Sequence, residues 1–258
     1  MVNGNPQRFA EQGYCLFFNI FDEAEVISNR RLLDDYTESG RLDRPNYLGE
    51  PHASDERWRA ICTHPRLLDA IESILGPNLI LVFSSMFIKP PLSTDTVPWH
   101  QDNTYWPSVN GTDVVTAWVA IDDASAHNSA MKVIPGSHTG YRELESAQAA
   151  SESDMLKRQV QVSAQMEEAA VLLEMQAGSV SIHDSFLVHG SGANHTDRRR
   201  AGYTIRYCNP DTAWVDLDKH PHDVYLVRGD AGDRGSGYRD ITSADGSSTT
   251  AEGAHGSA

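Results

Sequence analysis

The stretch from Val97 to Trp106, VPWHQDNTYW, places a histidine and a carboxylate two residues apart among aromatic and amide side chains. Alternate residues of a β-strand share one face, so His100 and Asp102 can point toward a common site. Non-haem Fe(II) is bound by two histidines and one carboxylate on one side of the metal, with the other side open. The pair therefore predicts an iron site, provided that a second histidine comes from a distant strand.

The His-x-Asp pair is a weak signal alone, because a chain with 11 histidines and 36 acidic residues contains about one such pair by chance. A hydrogen-bonded His100–Asp102 pair in a structural turn would explain it without a metal. Two further candidate pairs are His195 with Asp197, in a polar turn, and His220 with His222, on either side of a proline. The choice depends on the rest of the chain.

His189 is the candidate for the second histidine, because it ends an apolar run and precedes Gly190, which lets a backbone turn tightly. Arg200 follows at the start of a strand-like run. A guanidinium binds a carboxylate by two parallel hydrogen bonds, so Arg200 suits the far end of a dicarboxylate cosubstrate chelated to the metal. Each has an ordinary alternative: a core histidine, and a solvated arginine run at 198–200.

The elements that would position these residues are mainly β. A strand is predicted at 13–21. Helices are predicted at 22–40, with a capping box of Asp22 and Glu25, and at 65–76, between Pro65 and Gly76. Short β-type runs separated by Gly, Pro, Asn and Asp then follow, which is typical of a sandwich or barrel. They span 79–90, 113–122, 130–136, 169–175, 178–184, 186–190 and 199–209.

Composition restricts the partners and the compartment. The formal net charge of −15 disfavours nucleic acid and anionic membranes, which both need a basic face. Three well-separated cysteines argue against a disulfide framework. Without an apolar leader or a membrane-length apolar run, we expect a cytoplasmic protein. Residues 1–228 are expected to form one domain, and residues 229–258, rich in Gly, Ser, Asp and Thr, a disordered tail.

Several segments together resemble the phytanoyl-CoA dioxygenase family of Fe(II)/2-oxoglutarate oxygenases. The opening GYCLFFNIFDEAEV and the later WHQDNTYW, TAWVAIDDA, NSAMKVIPGSH and HGSGANHTDRRRAGYTIRY occur in the family's order, over roughly residues 9–228. The resemblance implies a double-stranded β-helix, a jelly-roll or cupin-like barrel, with helices on one side. It implies that His100, Asp102 and His189 bind iron and that Arg200 binds the C5 carboxylate of 2-oxoglutarate.

The same resemblance assigns further cosubstrate contacts and a reaction. Ser191 would assist Arg200, and Gln101 and Trp118 fall where the family contacts 2-oxoglutarate, although Gln101 would need a local twist of its strand. Oxygen and 2-oxoglutarate would give succinate and CO2 while an unactivated C–H bond is hydroxylated. Related halogenases replace the carboxylate by a small residue, so Asp102 favours hydroxylation here.

The substrate pocket is the least determined part. Trp99, Asn103, Tyr105 and Trp106 are candidates for walls that exclude water, with core packing as the alternative. On a regular strand Arg206 shares the face of Arg200 and Thr204, so it could bind an anionic group of the substrate or pair with a barrel carboxylate. An acyl-CoA is disfavoured because no Lys/Arg cluster suits a nucleotide diphosphate.

The sequence therefore predicts a dioxygenase that acts on a small organic molecule, such as a natural-product intermediate, an amino-acid derivative or a small organic acid. Desaturation, cyclisation or epoxidation would start from the same site and stays open, as does the oligomeric state. Two other classes compete. One is a non-catalytic jelly-roll binding or sensor protein, and the other is a cupin-like metalloenzyme that uses His220 and His222 without 2-oxoglutarate.

Overall fold

Two β-sheets form the framework of the computed structural model, which describes residues 4–149, 151 and 153–242. The strands are β1 (Tyr14–Phe17), β2 (Tyr47–Gly49), β3 (Leu79–Lys89), β4 (Val97–His100), β5 (Val109–Gly111), β6 (Val114–Ala120), β7 (Met131–Val133), β8 (Ser146–Gln148), β9 (Arg158–Val160), β10 (Val171–Leu173), β11 (Val180–Asp184), β12 (His189–Ser191), β13 (Arg200–Cys208), β14 (Ala213–Val215), β15 (Tyr225–Arg228) and β16 (Arg239–Asp240). The mainly β fold is confirmed.

The larger sheet has eight strands in the order β1-β11-β6-β13-β3-β15-β16, with β2 also paired to β3. The smaller sheet has the order β10-β7-β12-β4, and β5–β14 and β8–β9 form two short ribbons. Every pairing is antiparallel except β15 with β16. Neighbours in the sheets are far apart in sequence, as the jelly-roll arrangement requires.

Strand alternation on β13 divides the barrel interior from the helical core. Tyr203 and Ile205 point into a cluster shared with the helices, whereas Arg200, Thr204 and Arg206 line a cavity bounded by residues of both sheets. This is the period-2 pattern of a strand whose two faces meet different surroundings. A single strand therefore delivers two arginines to one cavity.

Six helices occur among the described residues: α1 (Pro6–Gln12), α2 (Glu23–Glu38), α3 (Pro51–Ser54), α4 (Glu56–Cys62), α5 (Pro65–Leu75) and α6 (Ala164–Glu168). The first five adjoin the larger sheet, whereas Met166 of α6 packs in a separate apolar cluster. The capping box of Asp22 and Glu25 at the start of α2 is confirmed. From α5, Leu67 and Ile71 are fully buried against the sheet, and each such side chain stabilises the fold by roughly 1.5–3 kcal/mol. The short helices α1, α3, α4 and α6 were not predicted.

The segment after residue 228 corrects one expectation. Instead of a disordered tail, residues 229–242 contain a 3-10 turn (Asp233–Gly235) and strand β16 beside β15. Tyr238 packs against an apolar cluster, and its hydroxyl accepts a hydrogen bond from the Val215 amide at 2.9 Å. One aromatic residue thus anchors a segment whose composition is otherwise polar. Residues 243–258 lie outside the described part of the chain.

Two further features concern the surroundings of the protein. Among the described residues, none of the helices combines the length and apolar character needed to cross a bilayer. Cys15, Cys62 and Cys208 are all buried and free.

Candidate active site

The three predicted metal ligands meet through the pairing of two distant strands. In the smaller sheet β12 runs antiparallel to β4, with His189 directly opposite His100, and the two rings lie 4.0 Å apart. The expectation that Asp102 continues the strand is wrong, because β4 ends at His100 and Asp102 starts a 3-10 turn, Asp102–Tyr105. The turn nevertheless brings Asp102 Oδ1 to 3.4 Å from Nε2 of His100 and 3.7 Å from Nε2 of His189.

Both imidazoles are oriented as metal ligands. Nδ1 of His100 bonds the Pro98 carbonyl at 2.9 Å, and Nδ1 of His189 bonds the Leu187 carbonyl at 2.9 Å. A carbonyl accepts only from N–H, so the lone pair of each ring lies on Nε2, which faces Asp102. Burial, with His100 beside it, holds the pKa of His189 well below its usual value. The ring is therefore neutral, the form that binds metals.

Asp102 stays ionised although it is buried. Burial alone would raise its pKa, but the facing imidazoles of His100 and His183 and the charge of Arg206 hold the pKa well below the usual range. Thr116 on β6 donates to Oδ2 at 2.5 Å, which leaves Oδ1 toward the two histidines. His100, Asp102 and His189 offer ligand atoms within 4.8 Å of one another, so the donor set fits a two-histidine, one-carboxylate metal site.

Arg200 lies at one end of the cavity beside two serines. Its Nη2 donates to the Ser129 carbonyl at 2.5 Å and to Ser191 Oγ at 3.3 Å. Its Nε is buried without an acceptor, and Nη1 has none among the described residues. Burial lowers the pKa of Arg200 to about 10, so it remains a cation. Trp118 forms the adjacent wall, with its ring centroid 5.5 Å from the guanidinium carbon.

Two residues near this site were missed in the sequence. Lys89 pairs with Arg200 across β3 and β13, is fully buried, and donates to Ser129 Oγ at 2.7 Å and Ser191 Oγ at 2.8 Å. Burial and the charge of Arg200 lower the pKa of Lys89 to about 6. His183 also lines the cavity, with Nε2 3.6 Å from Asp102 Oδ2. Alternation along β11 from the core residue Ile182 was the available signal for His183.

Three predicted site residues point elsewhere. The Gln101 side chain is fully buried and bonds the Phe186 carbonyl, the Arg142 carbonyl and the Leu144 amide at 2.7–3.0 Å. It fixes loops and does not line the cavity, so its cosubstrate role is not supported. Trp99 packs in a separate apolar cluster, and Asn103 donates to Glu143 at the surface. Trp99 points away because it alternates with His100 on β4, and Gln101 and Asn103 do so because β4 ends at His100.

The opposite end of the cavity, whose total volume is about 290 Å³, is aromatic and charged. Tyr105 and Trp106 line it as expected, and Arg206 does so from β13. Glu50, which the sequence did not indicate, also lines it, and burial raises the pKa of this carboxyl to about 7. Further residues of the cavity lining are Arg44, Tyr47, Phe83, Ser85, Phe87, Met155 and Leu156.

The competing histidine pairs lie outside this cavity. His195 is exposed in its turn. His220 bonds Ser108 through Nδ1 at 3.1 Å, and its ring centroid is 6.4 Å from that of His222. Within the described part of the chain, only His100, Asp102 and His189 form a cluster that could hold a metal. The structure therefore favours this triad over both alternatives.

Comparison with known proteins agrees with the geometry. A model of the family described as phytanoyl-CoA dioxygenase (PhyH) matches residues 9–202. The chain belongs to the phytanoyl-CoA dioxygenase family. The match includes the triad and Arg200 but stops before Arg206, so the family relation covers only one of the two cavity arginines.

Individual members of the phytanoyl-CoA dioxygenase family are moderately similar to the chain. It is 30% identical over 168 residues to peroxisomal phytanoyl-CoA dioxygenase from Homo sapiens, covering 63% of this chain and 49% of the relative. It is 32% identical over 168 residues to a probable alpha-ketoglutarate-dependent hypophosphite dioxygenase from Stutzerimonas stutzeri, covering 64% and 57%. The chain thus spans about half the length of these relatives.

Solved structures support the same fold. The non-heme monooxygenase ThoJ, in its apo form, superposes with a TM-score of 0.76 at 26% identity, covering 91% of this chain and 86% of that one. The similarity extends over nearly the whole described chain. The double-stranded β-helix expected from the resemblance is thereby confirmed.

Proposed function

We propose that this chain is an Fe(II)- and 2-oxoglutarate-dependent dioxygenase that hydroxylates an unactivated C–H bond of a small organic molecule, with release of succinate and CO2. The observation that carries the proposal is the joint presence, in one cavity, of a two-histidine, one-carboxylate cluster and a buried arginine with unused donors. Neither feature alone distinguishes an oxygenase from a structural metal site. Together they match the two ends of a chelating keto diacid.

The metal ligands would be His100, Asp102 and His189, which hold Fe(II) through two neutral imidazoles and one carboxylate. Bound there, iron would supply oxygen activation coupled to decarboxylation of 2-oxoglutarate. The protein contributes orientation, because the Pro98 and Leu187 carbonyls fix both rings and Thr116 fixes the carboxylate. Such supporting contacts commonly change metal affinity by about 10–100-fold when removed.

The C5 carboxylate of the cosubstrate would accept from the Arg200 guanidinium, in which Nε is buried without an acceptor and Nη1 has none among the described residues. Ser129 and Ser191 accept from Nη2 and hold the guanidinium in place. Trp118 closes the side of this end and helps to exclude water, which strengthens the charge-assisted hydrogen bonds. Lys89 donates to the hydroxyl groups of the same two serines and so helps to hold them in place.

The substrate would occupy the opposite end, between Tyr105, Trp106 and the β3 aromatics. A cavity of about 290 Å³ that must also hold 2-oxoglutarate leaves space for a small molecule or for one end of a larger one. We retain Tyr105, Trp106 and Arg206 as substrate residues. The same site chemistry also serves desaturation, cyclisation and epoxidation, and hydroxylation is our choice because Asp102 occupies the carboxylate position.

Anaerobic titration tests this function directly. With Fe(II) and 2-oxoglutarate, we expect the weak visible charge-transfer band of the chelate, and we expect it to vanish in His189→Ala. The matched control is His195→Ala, which removes an exposed histidine in the nearby turn and should leave the band unchanged. Asp102→Gly should bind 2-oxoglutarate yet lose hydroxylation.

Two outcomes would support a rival function. A protein that binds iron but gives neither the band nor succinate would be a non-catalytic binding or sensor protein. Turnover that persists without 2-oxoglutarate would indicate cupin-like metalloenzyme chemistry. Full turnover in His100→Ala would show that the ligand assignment is wrong.

The setting of the enzyme is also a proposal. Three buried free thiols suit a reducing compartment, so we place the enzyme in the cytoplasm, with no nucleic-acid or membrane partner. One oxygenase domain extends through residue 242, because the segment up to Thr242 pairs with and packs on the barrel.

A further inference from the structure

Arg206 has a hydrogen-bonding edge that the protein does not use. The residue is buried, 6% exposed, and lines the cavity. Its Nη1 donates to Ser85 Oγ at 3.2 Å and to the Thr204 carbonyl at 3.4 Å. Nε is buried without an acceptor, and Nη2 has none among the described residues. Nε and Nη2 form one planar edge of a guanidinium, and that edge matches the two oxygens of a carboxylate.

Asp102 lies close to this cation but leaves its hydrogen-bonding edge free. Its Oδ2 lies 4.0 Å from Arg206 Nε, beyond a hydrogen bond, and already accepts from Thr116. Its Oδ1 faces the Nε2 atoms of His100 and His189. Once a metal occupies the triad, the Asp102 charge is compensated there.

Glu50 does not pair with this cation. Its Oε2 accepts from the Ser84 amide at 3.2 Å and lies 3.5 Å from His52 Nδ1. Among the described residues no ion pair of 4.0 Å or less joins Glu50 to Arg206. Burial raises the pKa of Glu50 to about 7 in spite of Arg206, so the carboxyl is only partly ionised at neutral pH. A buried charge without a partner is costly, which argues that its partner is a ligand.

Charge balance at the loaded site leads to the same conclusion. The two positive charges of a divalent metal balance the two negative charges of 2-oxoglutarate, and the Arg200 cation balances the Asp102 anion. Lys89 has its pKa lowered to about 6, and Arg44 is exposed, so the remaining buried full charge is that of Arg206. Two aromatic side chains adjoin it: the guanidinium carbon lies 5.6 Å from the Trp106 ring centroid, and Phe83 stands opposite Arg206 in the strand register. Such a pocket orients a ligand by one charged contact and binds the rest by apolar packing.

We propose that the primary substrate is a small carboxylic acid whose carboxylate binds the Nε–Nη2 edge of Arg206 while its apolar part packs against Phe83 and Trp106. The inference rests on the proposed function, since it assumes that 2-oxoglutarate occupies Arg200. Arg206 is then the residue that selects acids over neutral molecules of the same shape.

The test compares acids with their own amides. The protein is loaded anaerobically with Fe(II) and saturating 2-oxoglutarate, and then titrated calorimetrically with phenylacetate, 3-phenylpropanoate and hexanoate, and with the three corresponding primary amides. Because 2-oxoglutarate already fills the Arg200 end, the probes report on Arg206. At least one acid should bind about tenfold or more tightly than its amide, the value of one charge-assisted hydrogen-bond pair.

Variants assign the preference to one residue. Arg206→Gln should bind acid and amide equally, whereas Arg206→Lys keeps the charge but loses the planar edge and should retain a reduced preference. Arg31→Gln, an exposed substitution on α2, controls for net charge and should retain the full preference. If Arg206→Gln does not fold, as judged by circular dichroism, the wild-type pairs and Arg206→Lys decide.

Three results would overturn the inference: equal binding of acids and amides by the wild type, no binding of any acid, or an acid preference that survives in Arg206→Gln. The 2-oxoglutarate band, recorded in each sample before the probe is added, separates this failure from that of the proposed function. If the band is absent, the cosubstrate assignment fails. If it is present without acid preference, only the Arg206 assignment fails.

Discussion

Arg200 and Arg206 lie on the same face of β13 but have different surroundings. Arg200 is held through one nitrogen by two serines, with Lys89 behind them and Trp118 beside it. Arg206 is held through one nitrogen by Ser85 and a backbone carbonyl, with Asp102 and Glu50 in its vicinity. Each arginine presents a buried Nε without an acceptor. One strand thus offers two buried guanidinium groups with unused donors to the cavity that contains the metal ligands.

The difference between the two ends explains how one cavity can bind a fixed cosubstrate and a distinct substrate. The Arg200 end contains no carboxyl group in its lining, so it suits a cosubstrate that is always a dianion. The Arg206 end contains Glu50, which competes for the cation when ionised and weakens the binding of a second negative charge. The comparison predicts that substitutions at the two ends separate cosubstrate binding from substrate binding.

The largest effect is expected at the Arg200 end. Arg200→Gln removes both free donors and should weaken 2-oxoglutarate binding by about 100-fold or more, measured by anaerobic titration of the chelate band. Arg198→Gln, in the same run of arginines but exposed, is the control. A loss smaller than about threefold in Arg200→Gln would show that the cosubstrate does not use this guanidinium.

Glu50 provides the next largest effect and a pH signature. Its pKa is about 7 in the folded protein against an ordinary 4.5. Between these values the folded state keeps a proton that the unfolded chain has released, so stability falls as pH rises from 4.5 to 7. Glu50→Gln should remove this cost and stabilise the protein by up to about 3 kcal/mol at pH 8, but not at pH 4.

Urea unfolding at the two pH values measures the Glu50 effect. Glu56→Gln, whose parent side chain is 92% exposed, should leave stability unchanged at both. Equal stability of wild type and Glu50→Gln at pH 8 would mean that the carboxyl is ionised without cost, hence already paired with Arg206. That result would contradict the inference that Arg206 is free to bind a substrate carboxylate.

Gly202 tests the wall of the cosubstrate end. A Cβ at this position would lie 2.1 Å from two atoms of the Trp118 ring, so the ring must move. Gly202→Ala should destabilise the protein by about 1–3 kcal/mol and weaken 2-oxoglutarate binding without reversing the acid preference. Gly192→Ala, where a Cβ meets open space, is the matched control. Thermal unfolding and the chelate band provide the readouts.

Thr116 lies between the two ends and should show the smallest effect. Thr116→Val keeps the shape but removes the hydrogen bond to Asp102 Oδ2. We expect metal binding to weaken by about tenfold, measured by Mn(II) titration, with Thr139→Val in an exposed turn as control. Unchanged metal affinity would mean that the triad is positioned without Thr116.

The sequence was most informative where chemistry and local pattern coincide. His100, Asp102, His189 and Arg200 could be selected because the donor types of an iron and keto-diacid site are few and their order in the chain resembles that of a known family. The capping box of α2 and the long strands β3, β6 and β13 followed from local sequence rules. None of these inferences required knowledge of strand order.

The errors at the site concern the direction of side chains beside His100. Trp99 alternates with His100 on β4 and packs in an apolar cluster, whereas Gln101 and Asn103 follow the end of β4 and point to loop carbonyls and the surface. Residues 229–242 were misjudged because one anchoring tyrosine outweighs a polar composition. The local sequence pattern does not show where a strand ends and the chain changes direction.

Sequence alone thus determined the donor set, its likeness to a family of iron oxygenases, and the alternation that delivers two arginines to one face. Only the tertiary structure decided that His189 faces His100, that Lys89 and His183 stand beside the site, and that the buried Nε of Arg206 has no acceptor. The physical reason is the distance along the chain over which each property is set. Side-chain alternation is set by one strand's own backbone, whereas register, burial and charge pairing depend on strands that the chain brings together from far apart.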